Sequence, residues 1–128
     1  PSNTLLRARV RALVNAIACD IQPLCNLGVS RYLHEQHQLS EQELKLWQSQ
    51  WMIRGFQALE PVIAQNAQVF CFGDTPGMAD LLLVPQVYNA RRMQVDLTPF
   101  PYLTGVVDRC NELPAFMAAA PKNQPDTP

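Results

Sequence analysis

Apolar and polar positions along the chain follow a helical period in three long stretches. In residues 4–24, apolar residues recur at three- and four-residue steps, which is typical of a helix with one buried face. They are Leu6, Val10, Leu13, Val14, Ile17 and Ile21. Pro23 lacks an amide hydrogen and crowds the preceding turn, so the sequence predicts a kink or break near Gln22.

The second stretch begins with a recognisable start signal, LSEQEL. Ser40 is placed to cap a helix, and the Glu43 side chain, three residues later, can accept a hydrogen bond from the Ser40 amide. This reciprocal arrangement is a capping box. The predicted apolar stripe then contains Trp47, Trp51, Gly55, Leu59 and Ile63. Gly55 would permit close approach of a neighbouring backbone. Pro61 is expected to end or bend this helix.

The third stretch is GDTPGMADLLLVPQVYNARR, residues 73–92. Its apolar residues 81–84 point around the whole circumference of a helix, so we expect other helices to enclose it. A short buried strand is the alternative, but the preceding turn and the length favour a helix. Gly77 takes the cap position, and Asp80 is expected to bind backbone amides at the helix start.

Residues 96–121 predict two shorter helices. Pro114 suits the first turn of the last helix, Pro121 ends it, and the tail is expected to be extended. Only VFCFG shows a brief alternation of period two. The sequence therefore predicts one all-α domain spanning residues 1–128, a helical bundle around a buried central helix.

Composition narrows the functional classes. The net charge of −1 gives little support to binding of nucleic acid or a membrane surface, and no continuous apolar run reaches the ~18 residues typical of a spanning helix. Four scattered cysteines without a CxxC pair indicate reduced thiols in a cytoplasmic protein rather than a zinc cage. The chain starts at proline without a signal peptide, which suggests a domain taken from a longer protein.

Two groups of residues have a structural and a functional interpretation. His34, Glu35 and His37 could suggest a metal site, but a solvated loop is favoured because the ligands are too few. Trp47 and Trp51 are more typical of a core than of a ligand platform.

The polar residues beside the predicted kink also have two interpretations. Gln22 and Asn26 could bind a peptide-like ligand, although polar groups beside a broken helix usually satisfy its backbone, and the residues alone favour that role. Arg92 could hold a carboxylate or merely complement the negative helix C-terminus, and Arg91 fits the second role better.

Four segments together resemble one known family. IQPLCNL, GDTPGMADLLLVPQVYNARR, VDLTPFP and QPDTP are similar to the C-terminal helical domain of the zeta-class glutathione transferases, the maleylacetoacetate isomerase family. The GD-x-x-x-x-AD element indicates only the superfamily. The combination of QPLxNL, VPQVxNAxR and DLTPxP is specific to the class.

The resemblance implies a glutathione-dependent cis–trans isomerase of maleylacetoacetate or maleylpyruvate, in aromatic amino acid catabolism, that is a homodimer when full length. A thioredoxin-like first domain carries the activating serine and cysteine residues in that family. No catalytic residue is then expected in this chain, and the chain alone should be inactive.

The resemblance also assigns ligand-binding residues. Gln22, Asn26, Leu27 and Gly28 correspond to glutathione-binding positions, which reverses the preference derived from the residues alone. Arg92 corresponds to an arginine that holds a carboxylate of the small dicarboxylate substrate. Two alternatives stay open: a zeta-type transferase for another substrate such as an α-halo acid, and a non-catalytic protein-interaction domain.

Overall fold

The computed structural model describes residues 3–125, which form an all-α bundle, as predicted. The α-helices are α1 (Thr4–Asn15), α2 (Leu27–His37), α3 (Glu41–Asn66), α4 (Met78–Arg92), α5 (Pro101–Asn111) and α6 (Pro114–Ala119). Three shorter helical segments interrupt or follow them: the π-helix Ala16–Ile21 and the 3-10 turns Pro23–Cys25 and Pro121–Asn123. Among the described residues, the VFCFG segment contributes only the isolated bridge between Phe70 and Gly73.

The predicted break at Pro23 begins earlier than expected. The chain changes from α-helix to π-helix at Ala16. The Gln22 amide donates to the carbonyl five residues earlier, that of Ile17, at 3.0 Å. Proline has no amide hydrogen, and its ring would crowd the carbonyl four residues before it in an α-helix. The wider π-turn relieves that crowding, so the effect of Pro23 extends back along the helix.

Helix α3 does not end at Pro61 but continues to Asn66. The face that α3 buries is also shifted from the predicted stripe, since Trp47, Trp51 and Gly55 are only half-buried. Its fully buried residues are Met52, Phe56, Leu59 and Ile63. A neighbour does approach Gly55 closely, but it is a side chain and not the predicted backbone, since a Cβ there would lie 2.3 Å from Ile21 Cδ1.

Helix α4 is covered on one side only, so the predicted full enclosure is wrong. Leu83 and Val87 are completely buried, but Leu81 is 61% exposed and Tyr88 47% exposed. The main contacts of α4 are with α1, the π-helix and α5. Leu81 and Tyr88 lie away from these contacts and stay on the surface.

The helical stretch Thr4–His37 contains an 18-residue window of mean hydropathy 1.3, so by length and composition alone it could cross a membrane. This differs from the expectation that no stretch would be apolar enough. The buried face of this stretch packs in the core, where Leu13, Val14, Ile17 and Ile21 are at most 6% exposed. Packing in the bundle therefore accounts for the apolar residues of this face.

The C-terminal part has the two predicted short helices, with Pro114 in the first turn of α6. The predicted extended tail is wrong for the described residues. After Pro121 the chain turns, and the side chains of Asn123 and Gln124 donate hydrogen bonds to the carbonyls of Met117 and Ala118 at 2.6 and 2.8 Å. The tail residues 126–128 lie outside the described part of the chain.

Candidate functional site

The proposed ligand residues lie in one segment that runs from the end of the π-helix into the first turn of α2. They are Gln22, Asn26, Leu27 and Gly28, and we call the segment the ligand turn (residues 22–28). All four are exposed, Leu27 to 74%. Among the described residues, no hydrogen bond engages the side-chain amide of Gln22. That amide is therefore available to a ligand.

Asn26 performs the structural role that the residues alone favoured. Its side-chain oxygen accepts a hydrogen bond from the Val29 amide at 2.8 Å and so caps α2. Its backbone carbonyl accepts bonds from the amide and the hydroxyl of Ser30, each at 3.1 Å. The side-chain NH₂ group of Asn26 is not used in the cap, so capping does not prevent it from also donating to a ligand.

The first turn of α2 adds two backbone donors to the ligand turn. Within residues 3–125, the amides of Leu27 and Gly28 have no acceptor, as is usual at the first positions of a helix. A Cβ at position 28 would lie 3.3 Å from the Asn26 side-chain oxygen, so glycine leaves room for the cap. The turn thus presents amide donors suited to a carboxylate or a peptide carbonyl.

Arg92 ends α4 with an exposed side chain. Its Nη2 donates to the Asn89 side-chain oxygen at 3.1 Å, and no ion pair holds it within residues 3–125. Arg91 differs, because its guanidinium pairs with Asp108 of α5 at 2.7 Å. The two arginines therefore separate into one that connects α4 to α5 and one that is free to bind an anion.

The structure brings the four residues of the ligand turn together but does not join them to Arg92. No hydrogen bond or ion pair within the described residues links the two places. Three clefts in the described part of the chain, of about 520, 430 and 300 Å³, have linings that do not include Arg92.

A cleft of about 520 Å³ lies next to the ligand turn, between the π-helix and α3. Pro23 and Leu24 form one wall, and Trp51 and Arg54 the other. The guanidinium of Arg54 lies 5.4 Å from the ring centre of Trp51. None of the predicted ligand residues lines this cleft, so its size alone does not make it the candidate site.

The residues expected to cap helices do so. Ser40 and Glu43 form the predicted capping box of α3, and hydrogen bonding to Ser40 holds the pKa of Glu43 below its ordinary value. At α4, Gly77 has no side chain to contribute, but its amide donates to Asp80 at 2.8 Å. These four residues stabilise helix ends and are not ligand groups.

His34 and His37 lie in the last turn of α2. Only residues 38–40 separate α2 from α3, so the prediction that the histidines lie in a loop is wrong. His34 Nδ1 is 2.8 Å from the Leu39 carbonyl oxygen, and His37 packs edge-on against Tyr32. Within the described residues, no group of three or more His, Cys, Asp or Glu side chains could hold a metal ion.

Sequence reasoning missed the polar contacts that hold the ligand turn on α3. Trp47, expected in the core, is half-buried and donates its indole N–H to the Leu24 carbonyl at 2.9 Å. Gln48 donates to the Ser30 hydroxyl at 2.8 Å. No local pattern indicates these contacts, because each joins residues 18 or more positions apart.

Comparison with known proteins gives relatives over the whole chain. A maleylpyruvate isomerase from Ralstonia sp. is 43% identical over 99% of this chain and 61% of its own length. The crystal structure of maleylpyruvate isomerase from Pseudomonas aeruginosa PAO1 is 36% identical with a TM-score of 0.96, covering 100% of this chain and 68% of that one. No protein-family model matches the chain.

A third relative was solved with ligands. The maleylacetoacetate isomerase from Anaeromyxobacter dehalogenans, with bound dicarboxyethyl glutathione and citrate in the active site, is 41% identical with a TM-score of 0.93. The match covers 100% of this chain and 58% of that one. The chain thus spans about three fifths of the length of the Ralstonia relative, 61%.

Proposed function

The chain belongs to the zeta class of glutathione transferases, the family of maleylacetoacetate and maleylpyruvate isomerases, and we propose that it forms the helical second domain of such an enzyme. The reaction we assign is the glutathione-dependent conversion of a maleyl dicarboxylate, such as maleylacetoacetate, to its fumaryl isomer. The groups that activate the glutathione thiol belong to a thioredoxin-like domain outside these 128 residues. The chain alone is then inactive.

The residues of the ligand turn suit glutathione. When bound, glutathione supplies a thiolate that adds to the conjugated double bond and leaves again after the bond has rotated. The side-chain amide of Gln22 and the NH₂ group of Asn26 offer donors beside the backbone amides of Leu27 and Gly28. These groups would bind a carboxylate or peptide carbonyl of glutathione and orient it, without taking part in the bond changes.

The observation that carries the substrate assignment is the difference between the two arginines that end α4. Arg91 is neutralised by Asp108, whereas Arg92 is exposed and bonded only to the neutral Asn89 among the described residues. A guanidinium in that state can bind a carboxylate through two parallel hydrogen bonds. Arg92 would hold one carboxylate of the substrate while the double bond rotates.

The test is an isomerase assay on the whole protein that contains this chain, following the ultraviolet absorbance of the cis substrate. We expect conversion of maleylacetoacetate that requires added glutathione, and none with the 128-residue chain alone. Conversion independent of glutathione, or full activity of the chain alone, would overturn the proposal.

Maleylpyruvate is the second candidate substrate. The Ralstonia relative and the Pseudomonas aeruginosa structure both bear the name maleylpyruvate isomerase. Both substrates share the cis double bond and the carboxylates that Arg92 would recognise. Comparing kcat/KM for the two compounds in the same assay distinguishes them.

We also propose that the whole protein is a cytoplasmic homodimer. The free cysteines suit a reducing compartment. The exposed apolar face of α4, with Leu81 and Tyr88, suits contact with further protein. Analytical ultracentrifugation of the whole protein tests the assembly, and a monomer at micromolar concentration would contradict it.

A further inference from the structure

The backbone of the ligand turn has few hydrogen bonds of its own. Both partners lie within residues 22–28 in only one backbone hydrogen bond, from the Cys25 amide to the Gln22 carbonyl at 3.2 Å. A segment with so few internal bonds depends on outside contacts to keep one geometry. Helix α3 supplies those contacts.

Trp47 of α3 provides the first contact. Its indole nitrogen donates to the Leu24 carbonyl at 2.9 Å, while its ring packs edge-on against Trp51 with centres 5.6 Å apart. Both rings are half-buried. The aromatic pair fixes the direction of the indole N–H, so the donor and the Leu24 carbonyl are held together.

Gln48, the next residue along α3, provides the second contact through Ser30. Its side-chain nitrogen donates to the Ser30 hydroxyl at 2.8 Å, and that hydroxyl donates to the Asn26 carbonyl at 3.1 Å. Ser30 is 9% exposed, which shields the relay from water. The Cys25 thiol also lies 3.6 Å from the Gln48 carbonyl.

We propose that Trp47 and Gln48 are positioning residues for glutathione: they hold the ligand turn so that its free donors converge on the ligand. The inference rests on the proposed function, because it requires that this turn binds glutathione. Trp47 holds the turn at the Leu24 carbonyl. Gln48, through the Ser30 hydroxyl, holds the carbonyl of Asn26, the residue that caps α2. The amides of Leu27 and Gly28 take their direction from that cap.

Trp47→Phe and Gln48→Leu, made in the whole protein, each remove one contact and keep most of the side-chain volume. The matched control is Gln50→Leu, the same chemical change as Gln48→Leu on the same helix. Gln50 is exposed, and its side chain makes no hydrogen bond within residues 3–125. Gln22→Ala tests separately whether the turn binds glutathione.

Two measurements separate positioning from general stability. We expect Trp47→Phe and Gln48→Leu to raise the KM for glutathione about 3- to 10-fold, the loss of one neutral hydrogen bond, with kcat changed less than about twofold. Amide hydrogen exchange at residues 29 and 30 should become faster, because both amides bond to Asn26. The Gln50→Leu control should change neither quantity.

An unchanged KM for glutathione in both variants, or an equal rise in the Gln50→Leu control, would overturn the inference. Gln22→Ala shows which proposal has failed. If it raises the KM while Trp47→Phe and Gln48→Leu do not, the turn binds glutathione without help from α3. If Gln22→Ala leaves the KM for glutathione unchanged, the turn does not bind glutathione and the positioning role is wrong as well.

Discussion

The carboxylate of Asp80 accepts a hydrogen bond from the backbone amide of Cys71 at 2.9 Å, nine residues earlier in the chain. Its second oxygen accepts from the Gly77 amide at 2.8 Å. Asp80 is 1% exposed. One buried side chain therefore connects the start of α4 to the segment that follows α3.

Asp80→Asn should destabilise the fold by on the order of 2 kcal/mol, because two bonds from amides to a charged acceptor are replaced by at most one to a neutral acceptor. Thermal unfolding followed by circular dichroism measures the effect. Asp74→Asn, in the same loop but exposed, is the matched control and should unfold like the wild type. An Asp80→Asn protein with the wild-type melting temperature would refute this role.

Gly55→Ala should destabilise the fold by about 1–3 kcal/mol, a typical result of overpacking. The new Cβ would lie 2.3 Å from Ile21 Cδ1, and Ile21 is fully buried, so the π-helix or α3 must shift. Gly105→Ala is the control in α5, where the nearest atom would be 3.5 Å away. Urea unfolding should show the Gly105 variant equal to or more stable than the wild type.

Glu60 of α3 caps α5 from outside that helix. Its two carboxylate oxygens accept from the amides of Tyr102 and Leu103 at 2.8 and 2.9 Å, and α5 has no side-chain cap from Phe100. Glu60→Gln should lower the free energy of unfolding by about 1 kcal/mol. Glu112→Gln, an exposed control, should leave it unchanged. Equal unfolding midpoints for the two variants would contradict the cap.

The four cysteines should react with a thiol reagent at different rates. Burial raises the pKa of Cys110 to about 12, and burial together with nearby Asp80 raises the pKa of Cys71 well above its ordinary value. Both thiols stay protonated at pH 8, so they should react at least about 100-fold more slowly than exposed Cys19. Mass spectrometry after timed labelling measures this. A single fast rate for all four would contradict the buried placement.

Local patterns predicted helices, starts and caps because their causes lie within a few residues. The capping box of Ser40 and Glu43 is an example. The enclosure of α4 was predicted wrongly because periodicity shows which residues are apolar but not how many neighbours cover them. Leu81 and Tyr88 are apolar yet exposed for this reason.

The segment motifs assign ligand roles to the residues of the turn and to Arg92, and these roles stay predictions. The structure places the residues of the turn together. The contacts that hold the turn were not predictable, because Trp47 and Gln48 reach it from a different helix. The early start of the π-helix was missed as well, since a proline pattern locates the ring but not how the preceding turns relax.

The central claim is that Arg92 binds a substrate carboxylate, and Arg91 offers the matched control on the same helix. Arg92→Ala and Arg91→Ala each remove one guanidinium from adjacent positions in the whole protein. Steady-state kinetics with maleylacetoacetate should show kcat/KM lowered roughly 10- to 100-fold by Arg92→Ala, the loss of one charge-assisted pair, and changed less than about threefold by Arg91→Ala. Unchanged kcat/KM in Arg92→Ala, or an equal loss in both variants, would contradict the claim.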